Sequence, residues 1–365
     1  MGEMTCGERV TRCIIGEKID RVPFGVGLGW FTWKATLERW QKETGNPELD
    51  VAKELGFDCS WEGPNYIKYG YYPEFEEIVL EETPEFVVSR DRYGVKLRNR
   101  RDKGSMPEFL DYPVKTRADW ERIREERLRP DDPRRTDIDW GGFFKRVRST
   151  GEATIVGNYP YGVFGTPRNM MGVEEFLISF YTDPDLIHDI MNHITTVWLA
   201  VYERIAAKTQ IDHIHIWEDM SGRQGSLLSP KMVEEFMMPC YDRISASAKR
   251  AGVRVMSVDT DGDCSELVPI FMKHGVNLIF PFEVQAGNDI REYRRKYPEL
   301  GIMGGLDKRA LAGTKEDIEP EIQKVRDMVK YGRYIPCFDH HIPPDVPWEN
   351  FKYAALRIKD ICYGG

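Results

Sequence analysis

The sequence predicts an α/β protein: a single (β/α)8 barrel of the TIM type, taking in residues 1–365. Short β-type runs alternate with helical stretches from residue 153 onward, and eight such runs occur along the chain. Each run ends on acidic or polar residues, as expected where the carboxyl ends of barrel strands gather at one mouth. Since no Gly-x-Gly-x-x-Gly follows a strand and opens a helix, a dinucleotide-binding sheet has no support.

The eight runs are rich in apolar, β-branched and aromatic residues. They read VPFGVGLGW (22–30), GFDCSWEG (56–63), ATIVGNYPYG (153–162), HIHIWEDM (213–220), VRVMSVDTDGD (253–263), NLIFPFE (277–283), GIMGGLDK (301–308) and YIPCFDHH (334–341). Helical patterns cover 5–17, two pieces of 34–55 separated at Gly45-Asn46-Pro47, two helices within 116–150, and then 172–206, 229–251, 264–274, 287–296, 308–331 and 348–362. Ser229-Pro230 and Thr314 are typical helix starts.

Residues 64–112 are predicted to form an insertion beside the barrel. Two β-type runs within 75–101 flank Asp91-Arg92-Tyr93-Gly94, a turn sequence typical of a β-hairpin. The segment is too short and polar to bury a core of its own, so we expect no separate domain there.

The composition is that of a soluble globular protein, with 41% hydrophobic and 30% charged residues. A net charge of −9 and the lack of a basic stripe argue against a nucleic-acid partner. No apolar run approaches the roughly 18 residues of a membrane span, and the first twenty residues do not resemble a signal peptide. The seven scattered cysteines suggest free thiols in a reducing compartment, so we expect a cytoplasmic protein.

Five blocks of the chain carry a family resemblance. They are GERVTRCIIGEKIDRVP (7–23), WEDMSGRQGSLLSPKMVEEFMMPCYDRI (217–244), PFEVQAGNDI (281–290), GGLDKRAL (304–311) and DHHIPPDVPWENF (339–351). In this order they resemble the uroporphyrinogen decarboxylase superfamily, which implies a (β/α)8 barrel with its site at the C-terminal mouth. One branch of that superfamily removes carboxyl groups from a porphyrinogen without a cofactor. The other transfers methyl groups to or from a corrinoid protein, often using zinc.

The N-terminal segment speaks against the first branch. True uroporphyrinogen decarboxylases carry an arginine-rich R-Q-A-G-R type segment that grips the substrate's carboxylates. The corresponding GVGLGWFTWKATLERW (25–40) has no arginine before Arg39. An octa-anionic substrate needs guanidinium forks, so uroporphyrinogen decarboxylation is not expected here.

The methyltransferase branch usually carries H-x-C-G after its fifth strand and a distal cysteine, which together bind zinc. Here Asp259-Thr260-Asp261-Gly262 stands in place of H-x-C-G, and Cys337 falls near the distal cysteine. The resemblance therefore makes zinc possible, with Asp259, Asp261 and Cys337 as the candidate ligands. No D-x-H-x-x-G cobalamin motif occurs, so a corrinoid would be carried by a partner protein.

Acidic residues and one histidine at the strand ends are the catalytic candidates: Glu218, Asp219 and His340. Glu218 would be a general acid or metal ligand, or else would only bind a loop. Asp259 and Asp261 point the same way in an extended strand and would raise each other's pKa. The alternative for this pair is to cap the following helix. His213 and His215 share a strand face, where satisfied histidines at the bottom of the barrel are the favoured interpretation.

Aromatic residues near the first three strand ends would stack on an aromatic substrate, unless they belong to the core or to a subunit interface. The candidates are Trp30, Trp33, Trp61 and Tyr159, with Arg168 to hold a substrate carboxylate. The resulting hypothesis is methyl transfer from a small methoxylated or methylated donor to the cobalt of a separate corrinoid protein. A decarboxylase or lyase acting on a tetrapyrrole or a smaller acid, and a non-catalytic tetrapyrrole- or corrinoid-binding barrel, remain as alternatives.

Overall fold

The structure, a computed structural model, describes residues 3–58, 67–101 and 106–364. Its twelve strands in this part of the chain form three sheets. The strands are β1 (Ile78–Glu82), β2 (Phe86–Arg90), β3 (Lys96–Arg100), β4 (Glu108–Asp111), β5 (Ile155–Val156), β6 (His213–Trp217), β7 (Ser221–Gly222), β8 (Gly225–Ser226), β9 (Val255–Thr260), β10 (Leu278–Pro281), β11 (Gly301–Met303) and β12 (Tyr334–Ile335).

A six-stranded parallel sheet forms the centre of the molecule, in the order β12-β11-β10-β9-β6-β5. Its residues are almost all buried, since helices cover a sheet of this kind and its strands become continuous apolar runs. These six strands coincide with six of the eight predicted runs. The α/β class is therefore confirmed.

The first predicted run, 22–30, forms no strand. Gly25 and Gly27 adopt positive φ angles of 75° and 110°, and a short 3-10 turn follows at Leu28–Trp30. Gly29 lies so close to the last strand segment that an added Cβ would sit 1.9 Å from the carbonyl oxygen of Phe338. Thr32 then makes an isolated parallel bridge to Ile342. Three alternating glycines thus allow close backbone packing in place of a ladder.

The second run, 56–63, lies mostly outside the described residues, which include only its first three positions. The described ranges therefore contain no closed ring of eight parallel strands. Closure of the sheet into a barrel remains a prediction.

The insertion contains a four-stranded antiparallel sheet, β1-β2-β3-β4. The hairpin predicted around Asp91 is present: β2 pairs with β3, with Arg90 opposite Lys96. The Asp91 carboxylate accepts the N–H groups of Tyr93 and Val95, both at 2.9 Å, which fixes the turn. Most residues of this sheet are exposed or half-buried, as expected for a segment that packs beside a larger core.

Helices surround the parallel sheet. They are α1 (Cys6–Ile15), α2 (Lys34–Thr44), α3 (Val51–Leu55), α4 (Arg117–Arg127), α5 (Trp140–Thr150), α6 (Gly165–Met171), α7 (Val173–Thr182), α8 (Pro184–Ala206), α9 (Pro230–Met232), α10 (Met238–Arg250), α11 (Val268–Lys273), α12 (Ile290–Lys296), α13 (Lys315–Val329) and α14 (Trp348–Cys362). The predicted caps are confirmed: Ser229 Oγ accepts from the Met232 N–H, and Thr314 forms a capping box with Asp317. In the part of the chain that the structure describes, no helix is both long and apolar enough to cross a membrane.

The parallel strands all end at one edge of the sheet, which we call the mouth. The segments that follow them there are 157–161, 218–220, 261–263, 282–283, 304–308 and 336–341. Chain direction alone therefore gathers the predicted acidic residues at one side of the molecule.

Candidate functional site

Three carboxylates from different loops meet at the mouth. The Asp261 side chain is half-buried, with 31% of its surface exposed, and this desolvation raises its pKa to about 7, with Asp219 and Glu283 adding repulsion. Lys308 and Arg168 partly oppose this rise. A carboxylic acid with such a pKa holds its proton through much of the neutral range, so Asp261 can donate a proton there.

Asp259 lies on the same face of β9 as Asp261. Burial raises its pKa well above the ordinary value, and the charges of Asp261, Asp219 and Glu283 raise it further. The Asp259 carbonyl oxygen accepts the N–H groups of Glu218, at 2.9 Å, and Asp219, at 3.2 Å. The pair predicted from D-x-D-G is therefore brought together, and its backbone ties the loop after β6 to the end of β9.

His340 faces this acidic group. Its Nε2 lies 3.8 Å from Asp261 Oδ2, while burial, with Lys308 next, lowers its pKa. The following His341 points to the aromatic side of the mouth, with its ring 5.3 Å from the Trp33 ring, and its pKa falls to about 4 through burial. Of this pair, His340 thus lies beside the carboxylates, whereas His341 lies against the aromatic side of the mouth.

A buried ion pair beside His340 was not singled out from the sequence. Asp339 has no exposed surface, and it accepts the Val284 N–H at 2.9 Å and the Lys308 ammonium at 3.3 Å. Lys308 ends the run GIMGGLDK and Asp339 opens the Asp-His-His triplet, so both are strand-end residues. The sequence signal that could have predicted this ion pair was that Lys308 and Asp339 follow neighbouring strands.

Glu218 binds the backbone of residues 163–165, which form one side of the site. Its carboxylate accepts the N–H groups of Val163, Phe164 and Gly165 at 3.0, 2.7 and 3.1 Å and the Tyr241 hydroxyl at 2.6 Å. It has no exposed surface, and burial raises its pKa to about 7 despite these donors. Four donors occupy both oxygens, so the structure favours the loop-binding alternative over proton transfer or metal binding.

Arg168 holds the loop after β6. It extends from α6, whose first turn Glu218 binds, and donates to the Asp219 carbonyl at 2.6 Å and to Asp219 Oδ2 at 3.0 Å. Its guanidinium lies 5.0 Å from the Trp217 ring centroid. Asp219 adopts a positive φ of 43°, which this double contact stabilises. Arg168 is therefore already engaged with a protein carboxylate.

The predicted aromatic residues separate into two groups. Trp30 is only 3% exposed, and its Nε1 donates to the Pro336 carbonyl at 3.0 Å, so it belongs to the core and its assignment to substrate stacking is wrong. Trp33 and Tyr159 are 48% and 65% exposed, on the two flanks of the mouth. Trp61 lies outside the described residues.

The candidate zinc ligands do not form a metal site. In the described ranges no group of three or more histidine, cysteine or acidic side chains has a geometry that holds a metal ion. Cys337 is buried against Gly27 and Met303, and burial raises the pKa of its thiol to about 12. The geometry of the described residues therefore offers no set of ligands for zinc, and we derive no step through a metal on this chain.

A cavity of about 570 Å³ opens at the opposite end of the sheet, between the ends of α1, α13 and α14. Two charged residues of its lining form ion pairs, Arg21 with Asp58 and Asp20 with Arg9. The N-terminal end of a parallel barrel is generally the stabilising end, so the chemistry is assigned to the mouth.

Comparisons with known proteins agree with this architecture. A family model described as "Uroporphyrinogen decarboxylase (URO-D)" matches residues 85–360. The chain belongs to the URO-D family. The family resemblance of the five sequence blocks is thereby confirmed.

Curated relatives carry the decarboxylase name at low identity. Uroporphyrinogen decarboxylase of Anaeromyxobacter sp. (strain Fw109-5) is 27% identical over 267 residues, which are 72% of this chain and 73% of the relative. The enzyme of Prochlorococcus marinus (strain MIT 9312) is 25% identical over 184 residues, 50% of this chain and 51% of the relative. The match thus spans about half the length of the Prochlorococcus relative.

A solved structure described as a methyltransferase from Methanosarcina mazei has a similar fold. The TM-score is 0.63 at 14% identity, and the match covers 98% of this chain and 99% of that one. At this identity the likeness establishes the fold alone.

Proposed function

We propose that this URO-D family chain transfers a methyl group from a small methoxylated donor to the cobalt of a separate corrinoid protein. The observation that carries the proposal is the placement of Asp261, a half-buried mouth carboxyl beside Asp219 and Glu283 and 3.8 Å from His340, where its raised pKa leaves it partly protonated near neutral pH. Cleavage of an ether C–O bond needs such an acid, because an alkoxide or phenoxide is a poor leaving group.

Asp261 would protonate the ether oxygen of the donor as its bond to the methyl carbon breaks. The electron pair of that bond stays on the oxygen, the proton of Asp261 joins it, and the product leaves as an alcohol or phenol. The partner's corrinoid, when bound, supplies the nucleophile that receives the methyl group. His340, 3.8 Å from Asp261, can take a proton from solvent and return it to the carboxylate for the next turnover.

The charge of the mouth supports a neutral donor rather than a polycarboxylate. Its cations Arg168 and Lys308 already bind Asp219 and Asp339, so neither is free to grip a substrate carboxylate without losing its partner. Exposed Trp33 and Tyr159 offer aromatic surface at the flanks. The Methanosarcina mazei neighbour is a methyltransferase, in keeping with this proposal.

The test is turnover of methoxylated aromatic compounds in the presence of a reduced corrinoid protein, measured as the appearance of the phenol. Asp261→Asn should lower kcat about 10²–10³-fold with little change in KM, because a positioned general acid contributes that much. In the unmodified chain, kcat should fall as the pH rises through about 7, where Asp261 loses its proton. The control is Asp345→Asn, which changes an exposed carboxylate a few residues beyond His340.

The decarboxylase alternative is kept because curated relatives carry that name. Its signature is release of carbon dioxide from a porphyrinogen or a smaller acid with no corrinoid protein present. That result, together with no phenol formed from any methoxylated donor, would replace our proposal with a decarboxylation. Asp261→Asn turning over donors at the unmodified rate would remove the acid from the mechanism.

A further inference from the structure

A polar column lies inside the parallel sheet, directly below the carboxylates of the mouth. His213 Nε2 and His215 Nδ1 both contact Ser257 Oγ, at 2.6 and 2.9 Å. His215 and Ser257 are paired in register, and two residues further along, Trp217 pairs with Asp259. A step of two residues in a strand is about 6.6 Å, so His215 occupies the layer immediately beneath Asp259.

These histidines face away from the helices. Ile214, on the opposite face of β6, lines a cavity with Tyr202 and Ala248 of α8 and α10. The His215 ring instead stacks on Phe280 of β10, with centroids 5.2 Å apart and planes 18° apart. Phe280 in turn pairs in register with Asp259. His215 is therefore held by strands β6, β9 and β10, on the face that carries Asp259.

One nitrogen of His215 has no protein partner. Its Nδ1 contacts Ser257, and within the described part of the chain Nε2 makes no hydrogen bond, although the residue is only 7% exposed. Nε2 is not among the fully buried polar atoms without a partner, so it keeps a small accessible surface. An accessible Nε2 with no protein partner, on the face that carries Asp259, can bond to a ligand.

We infer that His215 is the residue at the floor of the mouth that hydrogen-bonds a second polar group of the bound donor, away from the ether oxygen that Asp261 protonates, and that Ser257 and His213 set its tautomer. The inference rests on the proposed function for the identity of the ligand. Ser257 has one hydroxyl proton, so it donates to one histidine and accepts from the other. If it donates to His215 Nδ1 and accepts from His213 Nε2–H, His215 offers Nε2–H to the ligand. The reverse arrangement offers a lone pair.

The test uses the full chain labelled with ¹⁵N-histidine, no corrinoid protein, and phenol as the probe, since its hydroxyl can take the place of that second polar group. Addition of phenol should shift the Nε2 resonance of His215, assigned by its loss in His215→Phe. This variant keeps the stack on Phe280 and should bind phenol about ten-fold more weakly, the factor that corresponds to one hydrogen bond.

Two further variants separate a ligand contact from a packing role. His188→Phe removes another stacked histidine, whose ring lies 4.4 Å from Phe236 outside the mouth, and should leave phenol affinity unchanged. Ser257→Ala keeps His215 but removes the group that sets its tautomer, so its two nitrogens should show averaged ¹⁵N shifts.

Unchanged His215 resonances up to the highest phenol concentration would overturn the inference, as would equal phenol affinity in His215→Phe. These measurements need neither a corrinoid nor a methyl donor. If His215 responds to phenol but no donor is demethylated, the proposed function fails and this inference stands. If donors are demethylated while His215 stays silent, only this inference fails.

Discussion

Removal of the Lys308 ammonium by Lys308→Met is expected to destabilise the fold markedly and in a pH-dependent way. The pair it forms with Asp339 is buried, with side chains 15% and 0% exposed and a separation of 3.3 Å. The methionine has a similar volume and removes only the charge. Asp339 is then left as an uncompensated carboxylate in the interior.

The magnitude follows from this burial. Removing one partner of a buried pair costs about 3–5 kcal/mol. Asp339 still accepts the N–H groups of Val284 and Lys308, at 2.9 and 3.3 Å, so we expect the lower end, about 3 kcal/mol. The comparison is Lys273→Met, which breaks an exposed pair with Glu234 and should cost less than about 1 kcal/mol.

The sign of the pH effect follows from the pKa of Asp339, which burial raises and Lys308 lowers. The pair stabilises the fold while Asp339 is ionised, and this contribution is lost as the pH falls through its pKa. The free energy of unfolding, from urea titrations at pH 8 and pH 5, should therefore differ between Lys308→Met and the unmodified chain most at pH 8. Adding Asp339→Asn should recover much of the loss. An equal loss at both pH values, or a loss under 1 kcal/mol at pH 8, would refute the reasoning.

Two further predictions concern residues whose sequence-based roles differ from their surroundings. Trp30→Ala should lower the free energy of unfolding in urea by about 3–5 kcal/mol, because its ring lies in the core. Trp33→Ala should lower it by less than about 1 kcal/mol and instead raise KM for an aromatic donor. A larger loss of stability for Trp33→Ala than for Trp30→Ala would contradict this placement. Cys337→Ala should lower the free energy of unfolding by about 1 kcal/mol and leave kcat and the metal content of the purified protein unchanged. Loss of bound zinc in this variant would show instead that the thiol is a zinc ligand.

The fold was predictable to the extent that local pattern determines it. Buried parallel strands are continuous apolar runs, so six of them could be read from composition and from their polar ends. The run at 22–30 has similar composition but departs from strand geometry. Its alternating glycines allow positive φ at Gly25 and Gly27 and close packing of Gly29 against Phe338, a contact with a segment some 300 residues away.

The site was predictable in its location but not in the division of roles. Sequence placed both Glu218 and Asp261 after strands, with Glu218 as a catalytic candidate and Asp261 as a candidate zinc ligand. Their difference comes from partners that are distant in sequence, because residues 163–165 and Tyr241 donate four hydrogen bonds to Glu218. Within the described residues, Asp261 receives no such hydrogen bonds, and it lies among other carboxylates. Only the tertiary structure tells an anchoring carboxylate from one that can give up a proton.

The acid strength of Asp261 and the neutral donor that we propose have the same electrostatic origin. The two cations that lower its pKa, Arg168 and Lys308, are each bound to a different carboxylate, so neither neutralises Asp261 fully. A cation closer to Asp261 would stabilise its ionised form, and it would also provide a binding site for anionic substrates. Because Arg168 and Lys308 are bound to Asp219 and Asp339, Asp261 retains its proton to higher pH. The carboxylates of the mouth then repel a polycarboxylate substrate. The arrangement that would favour the proposed ether cleavage is therefore the one that would disfavour a porphyrinogen.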